Sequence, residues 1–316
     1  MRTAILQSPG RFTLESRPAP DPGPGEILVR TSVCGICTSE VGIWEGKAPG
    51  LEYPRFIGHE PSGVVEAVGD GVRSFSPGDH VSVWSEGKSF AEYFVAPAEY
   101  AFRLRKETPM HEALGEPIAC AVNGALKAEA RLNDSVCIVG CGFMGLMMMQ
   151  VFRARGAGML IAVDSRESIL SLAGDLGATH ALNPARCDVR KAVKEITGGR
   201  GVDIGVEAAG KQETLDVAGD VTRMEGTLEV FGYHQGGPRS VPWGYWNWMA
   251  FRIVNGHVRS AQLYVEGMTT GLKMLEAGTL KMGPLVTHRF PLEEINQGFE
   301  TASAKAEGFV KGVVTL

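Results

Sequence analysis

Ser135-Val136-Cys137-Ile138-Val139-Gly140-Cys141-Gly142-Phe143-Met144-Gly145 runs from a short apolar stretch into three spaced glycines, and Leu146-Met147-Met148-Met149-Gln150-Val151-Phe152-Arg153-Ala154-Arg155 continues it at helical length. Strand, glycine turn and helix in this order form the phosphate-binding start of a dinucleotide fold. The first glycine permits the tight turn, the second lets the backbone approach a pyrophosphate, the third lets helix pack on strand, and the helix N-terminus attracts phosphate charge. A lone glycine fingerprint is weak evidence. Here a second strand, Met159-Leu160-Ile161-Ala162-Val163, ends in Asp164, at the roughly 20-residue remove where an acid accepts the adenosine ribose hydroxyls. A carboxylate there repels a 2′-phosphate, so NAD is expected over NADP, while Arg166 keeps NADP as the lesser alternative. The expected cofactor contacts are Gly140, Gly142, Phe143, Met144, Gly145, Asp164 and Arg166. Around them, residues 123–261 alternate apolar strands with helix-length segments, the order of a parallel sheet covered by helices.

Upstream the pattern changes. Up to about residue 120 the chain shows short β-type runs such as Glu26-Ile27-Leu28-Val29-Arg30, Gly63-Val64-Val65-Glu66-Ala67-Val68 and His80-Val81-Ser82-Val83-Trp84, punctuated by Pro and Gly turns. This predicts a barrel-like, mainly β domain. Two segments within it carry metal-capable groups: Val33-Cys34-Gly35-Ile36-Cys37-Thr38-Ser39-Glu40, and Gly58-His59-Glu60-Pro61-Ser62-Gly63-Val64-Val65-Glu66-Ala67-Val68-Gly69. Thiolate and imidazole suit zinc, and a site with three protein ligands and one open position is catalytic rather than structural.

The Gly58 to Gly69 segment resembles the signature of the zinc-containing medium-chain alcohol dehydrogenases: Gly-His-Glu, two residues, Gly, five residues, Gly. Cys37-Thr38-Ser39-Glu40 stands where the family places Cys-x-Ser-Asp, with Glu40 one methylene longer and within reach of a hydrogen bond to the His59 imidazole. Gly115-Glu116-Pro117 looks like the Glu-Pro segment of the polyol and sugar dehydrogenase branch. The resemblance implies an α/β fold, a Rossmann doubly wound parallel sheet inserted in a GroES-like catalytic domain, with residues 1–122 and 262–316 forming the latter and 123–261 the NAD-binding domain. It implies Cys37, Ser39, His59 and Glu60 as catalytic residues. Cys37 and His59 are the fixed zinc ligands, with Glu116 near the metal directly or through water and Glu60 able to exchange onto it. Ser39 takes the role of the proton-relay hydroxyl, whereas the histidine some relatives carry five residues after the cysteine is Gly42 here. The family's four-cysteine structural lobe has no counterpart between Trp84 and Ser89, so one zinc per chain is expected.

Composition sets the outer limits. The chain has 316 residues, 44% hydrophobic and 21% charged, with net charge −5, a globular profile of about two domains without a nucleic-acid or anionic-membrane surface. Its N-terminus lacks a secretory apolar core and no segment is long enough to span a bilayer, so a cytoplasmic location is expected. Cysteines 34, 37, 120, 137, 141 and 187 read as reduced thiols. No second Cys-x-x-Cys pair follows Cys34 and Cys37, so Cys37 is taken as ligand, Cys34 as its buried neighbour, and Cys120 as a small core residue.

Histidines 80, 111, 180, 234, 257 and 288 are assigned to surface or structural roles, and Met144 to Met149 to helix core. Trp243-Gly244-Tyr245-Trp246-Asn247-Trp248 reads as a subunit-interface or packing patch ahead of a substrate-pocket wall with Trp44. The leading functional reading is an NAD- and zinc-dependent dehydrogenase of a secondary alcohol, polyol or sugar, with a small-molecule partner and, from the resemblance, a homodimer or homotetramer. A zinc-free quinone or enone reductase of the same superfamily and a non-catalytic NAD-binding protein are the alternatives.

Overall fold

No side chain fits at Gly63 or Gly69: a Cβ would lie 2.2 Å from the Arg30 carbonyl oxygen at the first and 1.8 Å from the Gly23 carbonyl oxygen at the second. Backbone must pass backbone there, and this lets the first unit close on itself. In the computed structural model, which describes residues 1–47 and 50–316, that unit comprises Met1–Ala119, Arg259–Gly278 and Met282–Leu316; the second comprises Cys120–Val258 and Thr279–Lys281.

The first unit opens with a hairpin of β1 (Arg2–Ser8) and β2 (Arg11–Ser16). β3 (Glu26–Gly35) is its longest strand and leads into the short helix α1 (Thr38–Trp44). β4 (Pro61–Val68), β5 (His80–Val83), β6 (Tyr93–Pro97) and β7 (Ala101–Arg103) follow, with β3 antiparallel to both β4 and β6. Ile27, Val29, Val65, Val81, Val83 and Phe94 bury their side chains between these strands, as period-2 alternation requires. α2 (Gly115–Lys127) carries the chain into the second unit.

In that unit β8 (Ser135–Val139) is followed by α3 (Phe143–Ala154), β9 (Met159–Val163), α4 (Glu167–Asp175), β10 (His180–Leu182), α5 (Val189–Ile196) and β11 (Val202–Glu207). α6 (Gln212–Val221), β12 (Thr222–Val230), α7 (Trp243–Trp248) and β13 (Arg252–Asn255) complete it. The strands pair in parallel in the order β10-β9-β8-β11-β12-β13. This is the doubly wound arrangement whose order reverses beside β8, where open sheets leave a ligand crevice at the strands' carboxyl ends. β8 and β11 are buried along their whole length, which suits the mainly apolar β8, while β11 also buries Asp203 and Glu207.

After this excursion the chain returns to the first unit. α8 (Ala261–Glu276), β14 (Val286–Pro291), α9 (Ile295–Ala304) and β15 (Lys311–Thr315) follow, with β14 parallel to β15 and β15 antiparallel to the end of β3, Val314 opposite Cys34. Phe12, Phe90 and Phe299 form an aromatic core beside it, with Trp44 6.1 Å from Phe299. No helix among the described residues is long and apolar enough to cross a membrane.

The tryptophan-rich segment is not one patch. Trp246 is 4% exposed and packs against α6, where a Cβ on Gly219 would lie 2.8 Å from the indole Nε1; Trp243, Tyr245 and Trp248 are exposed. A side chain inside a core offers no face to a sugar, so Trp246 cannot form the pocket wall considered from the sequence. Trp246→Ala is expected to lower the unfolding free energy by about 3 kcal/mol, measured by denaturant titration, and to leave the Michaelis constant of the folded protein for its substrate unchanged.

Candidate metal and active site

The site begins where β3 gives way to α1. The Ile36 amide donates to the Gly312 carbonyl at 3.0 Å, and Cys37 caps α1 in an extended conformation while its carbonyl accepts from the Glu40 and Val41 amides. The turn sends Cys34 into the core and leaves Cys37 half-buried. Burial, reinforced by the Glu40 charge, pushes the Cys34 thiol well above its ordinary pKa. Only the thiolate ligates metals, so Cys34 is a packing residue. The Ser39 hydroxyl donates to the Cys37 sulfur at 3.2 Å.

His59 reaches the same place from the other side. Gly58 adopts a φ of 110° and has no room for a side chain, since a Cβ would lie 2.6 Å from the Phe90 nitrogen. One oxygen of the buried Glu40 carboxylate accepts from the Gly58 amide at 2.6 Å and from His59 Nδ1 at 2.8 Å. A carboxylate on Nδ1 fixes the tautomer and turns the Nε2 lone pair toward the cluster, the arrangement expected of a metal-ligating histidine. The extra methylene of Glu40 is no obstacle.

Two more carboxylates converge there. The Gly115 amide donates to the Ser82 hydroxyl at 2.9 Å, anchoring the start of α2, and the adjacent Glu116 places Oε2 4.0 Å from His59 Nε2. Glu60 is 1% exposed and lies over Gly35, where a Cβ would be 1.9 Å from its Oε2. Gly35, between the two cysteines of Cys34-x-x-Cys37, is thus the vacancy Glu60 fills. Among the described residues, Cys37, His59 and Glu60 form the group whose donor atoms all lie within 4.8 Å of one another.

Lys311, the first residue of β15, is the component that sequence reasoning missed. Its buried ammonium donates to the Ile36 carbonyl at 2.9 Å and stands 2.6 Å from Glu60 Oε2. The signal was one lysine inside the apolar run Gly308-Phe309-Val310-Lys311-Gly312-Val313-Val314. Burial acts against its charge, yet Glu60 and Cys37 outweigh burial and raise its pKa. Burial likewise opposes a charged His59, yet Glu40 and Cys37 hold its pKa well above the usual histidine value. The cluster therefore draws cationic charge inward, and a thiolate, an imidazole and carboxylates are the donors zinc takes. The residues fit the metal.

The residues expected to contact the nucleotide lie in the second unit. Gly140, at φ 97°, makes the turn after β8; Gly142 caps α3; Phe143 and Met144 begin it; and Gly145 faces the Gly140 carbonyl oxygen, which a Cβ would approach to 2.4 Å. Asp164 follows β9, and its Oδ1 accepts from the Arg166 amide at 3.0 Å and from Arg166 Nε at 3.2 Å. Arg166 thus pairs with the acid expected to read the ribose.

Comparison with known proteins agrees with both halves. Residues 23–106 match the model for the alcohol dehydrogenase GroES-like domain, and residues 144–269 the model for zinc-binding dehydrogenases. Sorbitol dehydrogenase of Ovis aries is 28% identical over 94% of this chain and 92% of its own length. L-Threonine 3-dehydrogenase of Anaeromyxobacter sp. is 28% identical over 95% of each chain. An Escherichia coli oxidoreductase of unknown specificity superposes with a TM-score of 0.90 at 27% identity, covering 99% of this chain and 98% of the other.

The Lys311–Glu60 pair lends itself to a double-mutant cycle. Lys311→Met leaves the Glu60 carboxylate buried beside Glu116 and Cys37 and is expected to cost about 3 kcal/mol of stability. Adding Glu60→Gln should recover most of that loss; simple additivity in denaturant unfolding would show that the two charges are not coupled.

Proposed function

Because the chain belongs to the zinc-binding medium-chain alcohol dehydrogenases, NAD(P)-linked oxidoreductases acting on CH–OH donors, we propose that it interconverts a secondary alcohol of polyol or sugar type and its carbonyl compound, with NAD and one zinc ion. The observation carrying this reading is the convergence of Cys37, His59 and Glu60, with Glu116 facing His59 Nε2. Cys37, His59 and Glu116 would hold the metal, and Glu60, already paired with Lys311, would exchange onto it. When bound, zinc polarises the substrate oxygen and the nicotinamide ring takes or returns the hydride.

The chain's own residues do the rest. Glu40 orients His59 through Nδ1. The Ser39 hydroxyl, beside the Cys37 sulfur, would accept the substrate's hydroxyl proton and pass its own onward, a role its nearness to Cys37 supports. Gly42 offers no side chain to pass that proton along α1, so it leaves through the cofactor ribose or water. Asp164 favours NAD, since its carboxylate accepts ribose hydroxyls and repels a 2′-phosphate. The likeness to sorbitol dehydrogenase supports the polyol class. Assembly into a homodimer or homotetramer is part of the proposal, supported by the exposed Trp243, Tyr245 and Trp248.

The decisive experiment is a panel of polyols, sugars and simple alcohols followed at the NADH absorbance with zinc-loaded and chelator-treated protein. Turnover should disappear on chelation and return with zinc, and NAD should be preferred to NADP. Chelator-insensitive reduction of quinones or enones would refute the zinc mechanism and revive the zinc-free reading. Ser39→Ala is expected to lower kcat about a hundredfold while zinc content stays at that of the wild type.

A further inference from the structure

The carboxyl edge of the parallel sheet carries a polar chain, buried at Glu207 and half-buried at His234 and Arg239, that the reaction chemistry does not use. Glu207 ends β11 with its side chain fully buried and receives four donors. The Ala209 amide at 2.8 Å, the Gly210 amide at 2.7 Å and the Thr214 hydroxyl at 2.6 Å donate to Oε1; His234 Nε2 stands 2.8 Å from Oε2. Arg239 Nε then donates to His234 Nδ1 at 3.1 Å. Arginine only donates, so Nδ1 accepts and Nε2 carries the proton that Glu207 receives. Arg239 Nη2 also donates to the carbonyls of Gly210 at 3.0 Å and Gln235 at 2.8 Å. Arginine, histidine and glutamate thus bind the loop after β11 to the loop after β12.

What these loops border gives the chain its purpose. Ala209 rests on the phosphate-binding turn: a Cβ on Gly140 would lie 2.7 Å from the Ala209 Cβ. β9 and β11 flank β8 on opposite sides. With Asp164 at the end of β9 taking the adenosine ribose, the other half of a dinucleotide extends over the carboxyl ends of β11 and β12. Resting on the nucleotide reading of this unit, we propose that Glu207, His234 and Arg239 are positioning residues for the nicotinamide half of the cofactor. They hold the backbone of Ala208 to Lys211 and of Phe231 to Arg239 in the shape that half requires. A fully satisfied buried network rigidifies the elements it joins, the property a preorganised binding edge needs.

The test uses the full-length, zinc-loaded protein and two probes, NADH and 5′-AMP, titrated calorimetrically. His234→Ala should weaken NADH about tenfold, since it leaves Glu207 and Arg239 without their shared partner, while 5′-AMP, which reports the adenosine half alone, keeps its affinity. His234→Gln should restore NADH binding, because the amide donates to Glu207 and accepts from Arg239 as the imidazole does. Unchanged NADH affinity in His234→Ala, or equal loss of NADH and 5′-AMP, would overturn the inference while leaving the nucleotide reading intact. A wild-type protein that binds neither probe would overturn both. Should His234→Ala fail to fold, Arg239→Gln, which removes only the outer link, is expected to weaken NADH selectively, and loss of both probes would again refute the proposal.

Discussion

A charge taken out of water must find a partner, and the first unit is arranged around that requirement. Glu60 is buried in a strand-rich interior because the histidine beside it must face the site, and an unpaired carboxylate there would cost several kcal/mol. The partner comes from the far end of the chain: Lys311 is 275 residues from the Ile36 carbonyl it also binds. Only the antiparallel pairing of β15 with the end of β3 delivers it, and only Gly35 leaves the carboxylate space to meet it. The return of the chain to its first unit is therefore an electrostatic necessity as well as a topological one.

The second unit meets the same constraint in two ways. Asp203 is pushed up by burial, but hydrogen bonds from the Ser135 amide and from Arg223, with others from the Ser135 hydroxyl and Arg200, outweigh it and pull its carboxyl well below the usual range. Glu229 lies on β12, fully buried, and neither of its oxygens has a hydrogen-bond partner; burial drives its pKa well above that of an ordinary glutamate, against the weaker pull of Lys127 and Arg252. Where donors are at hand the acid stays ionised, and where they are missing it keeps its proton. Between Asp203 and Glu229 the difference lies in the donors that the fold supplies.

This distinction explains what was legible in the sequence. Ser135–Val139 and Met159–Val163 appear as strands because their burial is continuous and their glycine boundaries are local. Cys37, His59 and Glu40 meet as the short motif spacing implies, since each sits within a residue or two of a strand or helix end. Lys311 and His234 were not legible, because their partners are set by strand order rather than by neighbours in sequence. The aromatic segment was legible only as a whole: packing was the favoured reading, but a hexapeptide containing three tryptophans does not announce that it is Trp246 that turns inward onto Gly219 of α6.

The position of Lys311 also bears on how two carboxylates can share one divalent site. Cys37 as thiolate and Glu116 as carboxylate would together neutralise a 2+ ion; a third anion from Glu60 would overfill the charge and compete with negative charge developing on a substrate oxygen. The ammonium 2.6 Å from Glu60 absorbs that third charge. If zinc binds as proposed, the ammonium would give the carboxylate somewhere to reside that is not the metal, near enough to return. A neutral residue at position 311 would leave Glu60 only the metal or a proton, while a longer cation would crowd the Ile36 carbonyl that seats the ammonium. On the proposed zinc site, an open coordination position would thus depend on β15, whose first residue would set which of the two acids stands back.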